Sequence, residues 1–162
     1  MIRLLDPRET LPCAVVRFPA RAPTIALRRQ RFPGRAATID HVSIPVRDLV
    51  AAGAFYEAVL APLGLSRLVT REGTIGFGKA YPEFWLNLRQ DAEPTGNPGS
   101  HICLRAPDAD AVRSFHAAAI ANGGLDEGAP GHRPATMTAY FGAFILDPDG
   151  NKIEAATFPK TT

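Results

Sequence analysis

The sequence predicts an α+β protein in which two copies of a βαβββ unit follow one another along the chain. Three observations predict this fold class: the chain matches itself at an offset of sixty residues, each copy opens with a strand whose side chains alternate, and each opening strand is followed by an aspartate and an amphipathic helical segment. We expect one domain over residues 36–162, with modules at about 38–90 and 99–158.

The internal repeat is strongest between residues 41–64 and residues 101–124. Seven of the 24 aligned positions are identical, more than two unrelated stretches would give, although three of the seven are alanine. The identical pairs are His41/His101, Asp48/Asp108, Ala51/Ala111, Phe55/Phe115, Ala58/Ala118, Ala61/Ala121 and Gly64/Gly124. A duplication of this kind decides the architecture more firmly than local propensity does.

Each copy shows the same order of signals. Asp48 and Asp108 stand where a helix N-cap belongs, and Gly64 and Gly124 stand where a left-handed residue would end the helix. The predicted strands of the first copy are 39–46, 66–71, 74–78 and 84–88. Those of the second copy are 100–106, 137–146 and 152–158, the last two joined by the DPDGN turn at 147–151.

The first 35 residues differ from the rest of the chain. They contain five prolines and eight arginines against two acidic residues, a formal charge of +6, whereas the remainder carries −4. We expect an Arg/Pro-rich arm over residues 1–35 without a core of its own, either an overlong start or a loosely packed surface arm, with an organelle transit peptide as the alternative. The acidic remainder argues against a nucleic-acid groove.

Two further bulk features narrow the class of protein. No apolar run approaches the roughly 20 residues that a membrane helix needs, so we expect no membrane association. Only Cys13 and Cys103 are present, too few for a disulfide framework, which favours a reducing cytoplasm.

Strand alternation indicates which side chains share a face, because residues two apart on a strand point the same way. On the first strand His41 and Ser43 lie opposite an apolar face. On the equivalent strand of the second copy His101, Cys103 and Arg105 do the same. The two histidines therefore occupy equivalent positions on the face that a helix would not cover.

Glu154 lies on the corresponding face of the last predicted strand. With His41 and His101 it would form a facial triad of two imidazoles and one carboxylate, which suits Fe(II) and is compatible with Mn, Zn, Ni or Co. The alternative is that each histidine is a hydrogen-bonded structural residue and that Glu154 is a solvated carboxylate.

Three segments together resemble the vicinal oxygen chelate superfamily: IDHVSIPVRDLVAAGAFYEAVLAPLGL, GSHICLRAPDADAVRSFHAAAIANGG and AYFGAFILDPDGNKIEAATF. This superfamily includes glyoxalase I, extradiol dioxygenases, fosfomycin-resistance thiol transferases, methylmalonyl-CoA epimerases and bleomycin-sequestering proteins. The resemblance implies a half-open β-cup with helices packed outside, and a metal on its concave wall. It also implies a homodimer in which paired modules can be exchanged between subunits.

The resemblance separates subfamilies at one position. Glyoxalase I and the epimerases resemble a four-ligand pattern, with Glu or Gln on the last strand of the first module. Matching PEFWLNL to NKIEAAT places Trp85 opposite Glu154, and tryptophan cannot ligate a metal. Glu83 would replace it only if the alignment slipped by two residues. The three-ligand pattern of the dioxygenases and thiol transferases is therefore expected.

Four side chains are candidates for substrate binding. Trp85 offers a flat apolar platform, Arg105 offers a fork suited to carboxylate or phosphate, and Ser43 and Cys103 share the ligand face. The alternatives are core packing for Trp85, a surface charge for Arg105 and a small buried thiol for Cys103.

Three more polar side chains are candidates for other roles. Tyr140, before the DPDG turn, is a candidate weak acid or hydrogen-bond donor, with a cross-strand aromatic contact as the alternative. His132 lies in the stretch GAPGHRP, interpreted as a loop that could form a lid. His116 replaces Tyr56 in the helix repeat, which favours a structural role.

The first functional hypothesis is an enzyme that uses a divalent metal to chelate two adjacent oxygens of a small oxygenated or aromatic metabolite, as a dioxygenase, lyase or thiol transferase. The second is a metal-independent protein that sequesters a planar drug or metabolite in the same cup. The third is a regulator, or a relic of the fold, without activity.

Overall fold

The computed structural model describes residues 39–91, 93, 99–134 and 139–158, and both modules lie within them. The first module contains β1 (Val42–Val46), α1 (Leu49–Leu60), a short 3-10 helix (Ala61–Leu63), β2 (Ser66–Arg71), β3 (Thr74–Gly78) and β4 (Pro82–Leu88). The second contains β5 (Ile102–Arg105), α2 (Ala109–Ala121), β6 (Leu125–Arg133), β7 (Tyr140–Leu146) and β8 (Lys152–Thr157). The predicted α+β class and βαβββ order are confirmed. The arm predicted over residues 1–35 lies outside the described residues.

The two modules share one sheet topology. Their strand orders are β1-β4-β3-β2 and β5-β8-β7-β6, and in each module the first strand runs parallel to the last. Ser43 is paired with Trp85 in the first sheet, and Cys103 is paired with Glu154 in the second. Ser43 and Cys103, which are sixty residues apart, therefore hold equivalent positions in the pairing of the first strand with the last.

Each sheet buries one face against its own helix. In β1 the side chains of Ile44 and Val46 are buried, while Ser43 and Pro45 are exposed. The same alternation continues across the sheets, and the buried residues of both modules form one hydrophobic core. Burial of this apolar face supplies the main driving force for folding, and it leaves the opposite face of each sheet to carry polar groups.

The predicted helix starts are confirmed. The Asp48 carboxylate accepts hydrogen bonds from the backbone amides of Val50 and Ala51. The Asp108 carboxylate accepts one from the amide of Ala111, with 2.8 Å between the nitrogen and Oδ1. These bonds satisfy amide groups that have no partner within the helix.

One of the two predicted helix ends is confirmed and the other is wrong. Gly64 is left-handed, with φ of 76°, as expected. In the second module the left-handed residue is Gly123, with φ of 91°, and not Gly124. Gly124 is instead confined by close approach, because a β-carbon there would lie 3.0 Å from the carbonyl oxygens of Ala119 and Leu146.

Two strand boundaries differ from the prediction in the same way. β1 begins at Val42 and β5 at Ile102, so that His41 and His101 each precede the strand rather than lie within it. Both histidines keep equivalent places in the repeat. They lie where the ladder of hydrogen bonds has not yet begun.

The Gly/Pro-rich stretch before residue 134 was predicted to be a loop, and this is wrong. Residues Leu125–Arg133 form β6, which pairs with β7 along its length. Its register shifts between Asp126 and Gly128 and again between Gly128 and Gly131. Bulges of this kind break the period of two, which is why the strand could not be recognised from alternation.

The DPDGN turn links the two modules. The buried side chain of Asp147 accepts hydrogen bonds from the amides of Asp149 and Asn151, and its Oδ2 accepts one from the Tyr56 hydroxyl on α1 at 2.7 Å. Asn151 also donates to the carbonyl oxygen of Pro45. The turn therefore holds the start of β8 against the first module. Among the described helices, none is long and apolar enough to cross a membrane.

We expect Tyr56→Phe to reduce the free energy of unfolding by about 1–3 kcal/mol at neutral pH, because it removes one of the two hydrogen bonds that the buried Oδ2 of Asp147 accepts, the other coming from Nδ2 of Asn151. Burial raises the pKa of the Asp147 carboxyl, whereas its hydrogen bonds lower it, so removing the Tyr56 hydroxyl should raise that pKa further. When folding raises the pKa of an acid, the free energy of unfolding of the protein falls as the pH rises through the titration of that acid.

The cost of Tyr56→Phe should accordingly be greatest above the folded-state pKa of Asp147 and shrink as the pH falls below it. Urea unfolding of both proteins at about pH 7 and about pH 4 measures this difference. An equal cost at both pH values would show that the hydroxyl does not act through the Asp147 carboxylate.

Candidate metal and substrate site

A buried carboxylate lies on the face of the second sheet that α2 does not cover. Glu154 on β8 is 3% exposed, and its Oε2 lies 3.0 Å from Nε2 of His101. Its other oxygen, Oε1, is buried and accepts no hydrogen bond within the described part of the chain. Leaving a buried carboxylate oxygen without a partner costs free energy, so this oxygen is the feature of the face that most requires a ligand.

Two neutral donors lie beside this carboxylate. Burial, followed by the Glu154 carboxylate as a neighbouring acceptor and as a negative charge, raises the pKa of the Cys103 thiol to about 12, although part of the thiol remains in contact with solvent. The same causes, in the same order, raise the pKa of the Tyr140 phenol. Both groups therefore stay protonated near neutral pH and can donate hydrogen bonds.

A glycine makes room for Tyr140. A β-carbon on Gly142 would lie 2.8 Å from Cε2 of Tyr140 and 3.2 Å from Oε1 of Glu154. The tyrosine ring thus lies close over the Gly142 backbone, and Phe158 stacks on it with ring centroids 5.3 Å apart. This packing holds the ring close to the carboxylate.

His41 lies apart from this pair. Its Nδ1 is 2.9 Å from the Asp40 carboxylate, and its side chain is 53% exposed. A cleft of about 780 Å³ extends between the amino-terminal end of β1 and the length of β5, and His41, His101 and Glu83 all line it. The two histidines therefore share a cleft without sharing a coordination centre.

The fit of these side chains to a metal ion is partial. His101 Nε2 and the unpartnered Oε1 of Glu154 are a nitrogen and an oxygen donor of the kind that divalent transition metals prefer. Within the described residues, however, no three His, Cys, Asp or Glu side chains come together closely enough to hold an ion. Two of the three predicted ligands converge, and His41 is not the third in this arrangement.

The first sheet presents a different surface at the equivalent place. Trp85 is paired with Ser43 where Glu154 is paired with Cys103, as the alignment of the two last strands predicted. The indole lies across Gly76, whose β-carbon would be 3.0 Å from Cζ3 of Trp85. An aromatic platform therefore occupies the position of the carboxylate.

The two remaining histidines lie away from Glu154. His132, predicted to be on a lid, lies on β6 opposite Phe141, and their rings make an edge contact on the side of the sheet that α2 covers. Its proposed lid role is wrong, because β6 is a paired strand. His116 on α2 lies 3.0 Å from Oδ1 of Asp126, a structural contact on the same side.

Three residues near Glu154 were not recognised from the sequence. Phe144 is paired with Glu154 and its ring contacts that of His101, and Phe158 stacks on Tyr140. Both share the period of two with Tyr140 or Glu154, so alternation could have identified them. Arg133, paired with Tyr140, was missed because its strand was missed.

Comparisons with known proteins identify the family. Residues 38–155 match the model of the Glyoxalase/Bleomycin resistance protein/Dioxygenase superfamily. Since this match spans most of the chain, the protein belongs to that superfamily. The fold class inferred from the repeat and the resemblance inferred from the three motifs are both confirmed.

Solved structures agree with this assignment. A glyoxalase/bleomycin resistance protein from Albidiferax ferrireducens T118 is 32% identical, with a TM-score of 0.68, over 75% of this chain and 99% of that one. A glyoxalase/bleomycin resistance protein/dioxygenase family enzyme from Burkholderia phytofirmans PsJN is 23% identical, with a TM-score of 0.57, over 76% and 100% of the two chains. No curated protein matches the chain.

We expect Gly142→Ala to lower the free energy of unfolding by about 1–3 kcal/mol, because its β-carbon would meet the Tyr140 ring in a packed site. Gly131→Ala is the matched control on the same face, since the nearest atom to its β-carbon is 3.8 Å away. It should be neutral or stabilising by about 0.4–1 kcal/mol. Urea unfolding compares them, and equal effects would show that the ring does not pack on Gly142.

Proposed function

We propose that this protein is a metal-dependent enzyme of its superfamily that acts on a small oxygenated or aromatic metabolite, as a dioxygenase, lyase or thiol transferase. The observation that carries the proposal is Oε1 of Glu154, a buried carboxylate oxygen beside the imidazole of His101 that accepts no hydrogen bond from the residues the structure describes. These two side chains, together with His41, would hold one divalent ion of Fe, Mn, Zn, Ni or Co. Such an ion would supply Lewis-acid stabilisation to two adjacent substrate oxygens.

The chain's own residues would bind the substrate and handle its proton. Tyr140, kept protonated by burial and by Glu154, would donate a hydrogen bond or a proton to a substrate oxygen that gains negative charge. Trp85 would stack on a planar part of the substrate, and Ser43, Cys103 and Arg105 would contact its polar groups.

A homodimer would complete the donor set. Strand β1, which follows His41, pairs only with β4 among the described strands, and β5 pairs only with β8, so that each has one free edge. We propose that a second copy brings its own His41 to the His101 and Glu154 of the first. A free Cys103 and the scarcity of cysteine favour a reducing cytoplasm as the place of action.

One observation favours a second candidate, a metal-independent binding protein for a planar drug or metabolite. The three predicted ligands do not meet in the described part of one chain, whereas the Trp85 ring lies close over Gly76. Aromatic side chains alone can hold a planar ligand by stacking. The metal content of the protein separates the two candidates.

Protein purified without chelators should contain a transition metal, and Mn²⁺ added at about 100 times its Kd should stabilise it by about 2.7 kcal/mol. His41→Ala, His101→Ala and Glu154→Gln should each lose the metal, and His132→Ala, on the other face, should keep it. Elemental analysis and thermal unfolding provide the readouts. Less than about 0.1 equivalent of metal in the wild type, with no stabilisation by Mn, Fe, Zn, Ni or Co, would favour the binding protein.

Mixing two inactive variants tests the shared site. If His41 comes from a second copy, His41→Ala and Glu154→Gln chains refolded together should recover about one quarter of the wild-type metal, since half of the dimers are mixed and each holds one intact site. No recovery would place all three ligands in one chain. Metal retention in Glu154→Gln with loss in Glu83→Gln would transfer the carboxylate role to Glu83.

A further inference from the structure

The imidazole of His101 lies at a place where the backbone gives it little support. His101 precedes β5, whose pairing with β8 begins at Ile102. Its side chain is 37% exposed, and the contact of Nε2 with Oε2 of Glu154 at 3.0 Å holds only one end of the ring. An imidazole held at one atom can still turn about its side-chain torsions. A second contact is therefore needed to fix the orientation of the donor nitrogen.

Phe144 supplies that second contact. Its ring centroid lies 5.3 Å from that of His101, with an angle of 77° between the two ring planes. Phe144 is paired with Glu154 across β7 and β8, so its side chain is on the same face of the sheet as the carboxylate. Because two planar rings in a T-shaped contact have a preferred mutual angle, the contact restricts rotation of the imidazole as well as covering it.

The Phe144 ring is itself held by its other neighbours. Its partner on β6 is Gly128, where a β-carbon would lie 3.1 Å from Cδ2 of Phe144. The guanidinium carbon of Arg133 lies 5.6 Å from the ring centroid, and Nζ of Lys152 lies 5.3 Å from it. Both distances allow attraction between a cation and the π electrons of the ring. The absent side chain at Gly128 and the two cations therefore fix the place of the ring.

The two cations beside the ring are anchored to β6. Nη2 of Arg133 donates a hydrogen bond to the carbonyl oxygen of Ala129 at 2.7 Å, and Lys152 pairs with the Glu127 carboxylate at 3.2 Å. Side chains that are already bonded to the sheet lose less freedom when they also contact a ring. The Phe144 ring thus has contacts of its own with the sheet, and its position does not depend on His101.

We propose that Phe144 is a positioning residue for His101, whose imidazole it holds so that Nε2 stays directed at the Glu154 carboxylate. The inference rests on the proposed function for the metal ion only, because the contact between the two rings is made within one chain. Donors that are already oriented bind an ion more tightly, since less side-chain freedom is lost on binding. Phe144 has no atom that ligates a divalent ion, so it acts through His101.

Substitution of the ring tests this role in the full chain. Phe144→Leu keeps an apolar side chain without the planar ring and should weaken Mn²⁺ binding about tenfold in isothermal titration calorimetry, whereas Phe144→Tyr keeps the ring and should bind within about twofold of the wild type. Phe141→Leu is the matched control, because the Phe141 ring makes a similar contact with His132, 5.3 Å between centroids at 85°, on the face that α2 covers. It should unfold at a lower urea concentration but bind Mn²⁺ like the wild type.

A second measurement needs no metal. In ¹³C,¹⁵N-labelled protein, three-bond couplings from Cγ of His101 to its backbone nitrogen and carbonyl carbon report the torsion χ1. The wild type and Phe144→Tyr should show the couplings of one rotamer, and Phe144→Leu should show couplings averaged over several. If the wild type binds no metal but this difference occurs, the positioning role stands and the proposed function does not. Single-rotamer couplings in Phe144→Leu, Mn²⁺ binding there as tight as in the wild type, or an equal loss in Phe144→Tyr would each overturn the inference.

Discussion

Burial of the Glu154 carboxylate constrains the rest of the second module. Taking a carboxylate out of water costs several kcal/mol unless charges and hydrogen bonds compensate. Here one oxygen lies 3.0 Å from His101, while the other accepts no hydrogen bond within the described segments. The packing of Tyr140 across Gly142 brings a neutral donor to the same group. The turn at Asp147 contacts the first module and leads directly into β8, the strand that carries Glu154. One stretch of chain therefore fixes both the contact between the modules and the position of Glu154.

The two modules show how one scaffold supports two surfaces. Their sheets have the same order and their opening strands the same register, yet the position of Glu154 in one is that of Trp85 in the other. The side of each sheet that faces its helix is apolar in both, because that side supplies the core. The faces that the helices do not cover differ at this position, since the first sheet carries the aromatic Trp85 and the second carries the charged Glu154. Under the proposed function, recognition of a planar group and binding of polar oxygens would fall to separate modules.

Much of the fold could be predicted because its determinants are local. Alternation gave the buried faces of the strands, and the aspartate caps gave the helix starts. Strand β6 was missed because bulges at Gly128 and Gly131 break its period, and ladder pairing with β7 overrides its composition. For the site, periodicity identified Glu154 and His101 as neighbours on one face. It could not show that His41 stands apart, because the distance between modules depends on packing that no local pattern encodes.

The central claim is that Glu154 and His101 form the core of a metal site that a second histidine completes. Crystals of the full chain grown with Mn²⁺, with anomalous diffraction recorded at the manganese edge, test it most directly. The account predicts one anomalous peak per site within about 2.0–2.2 Å of Oε1 of Glu154 and Nε2 of His101, with His41 of a second copy as the third ligand. A peak elsewhere on the chain, or none at these two side chains while manganese is bound, would contradict it.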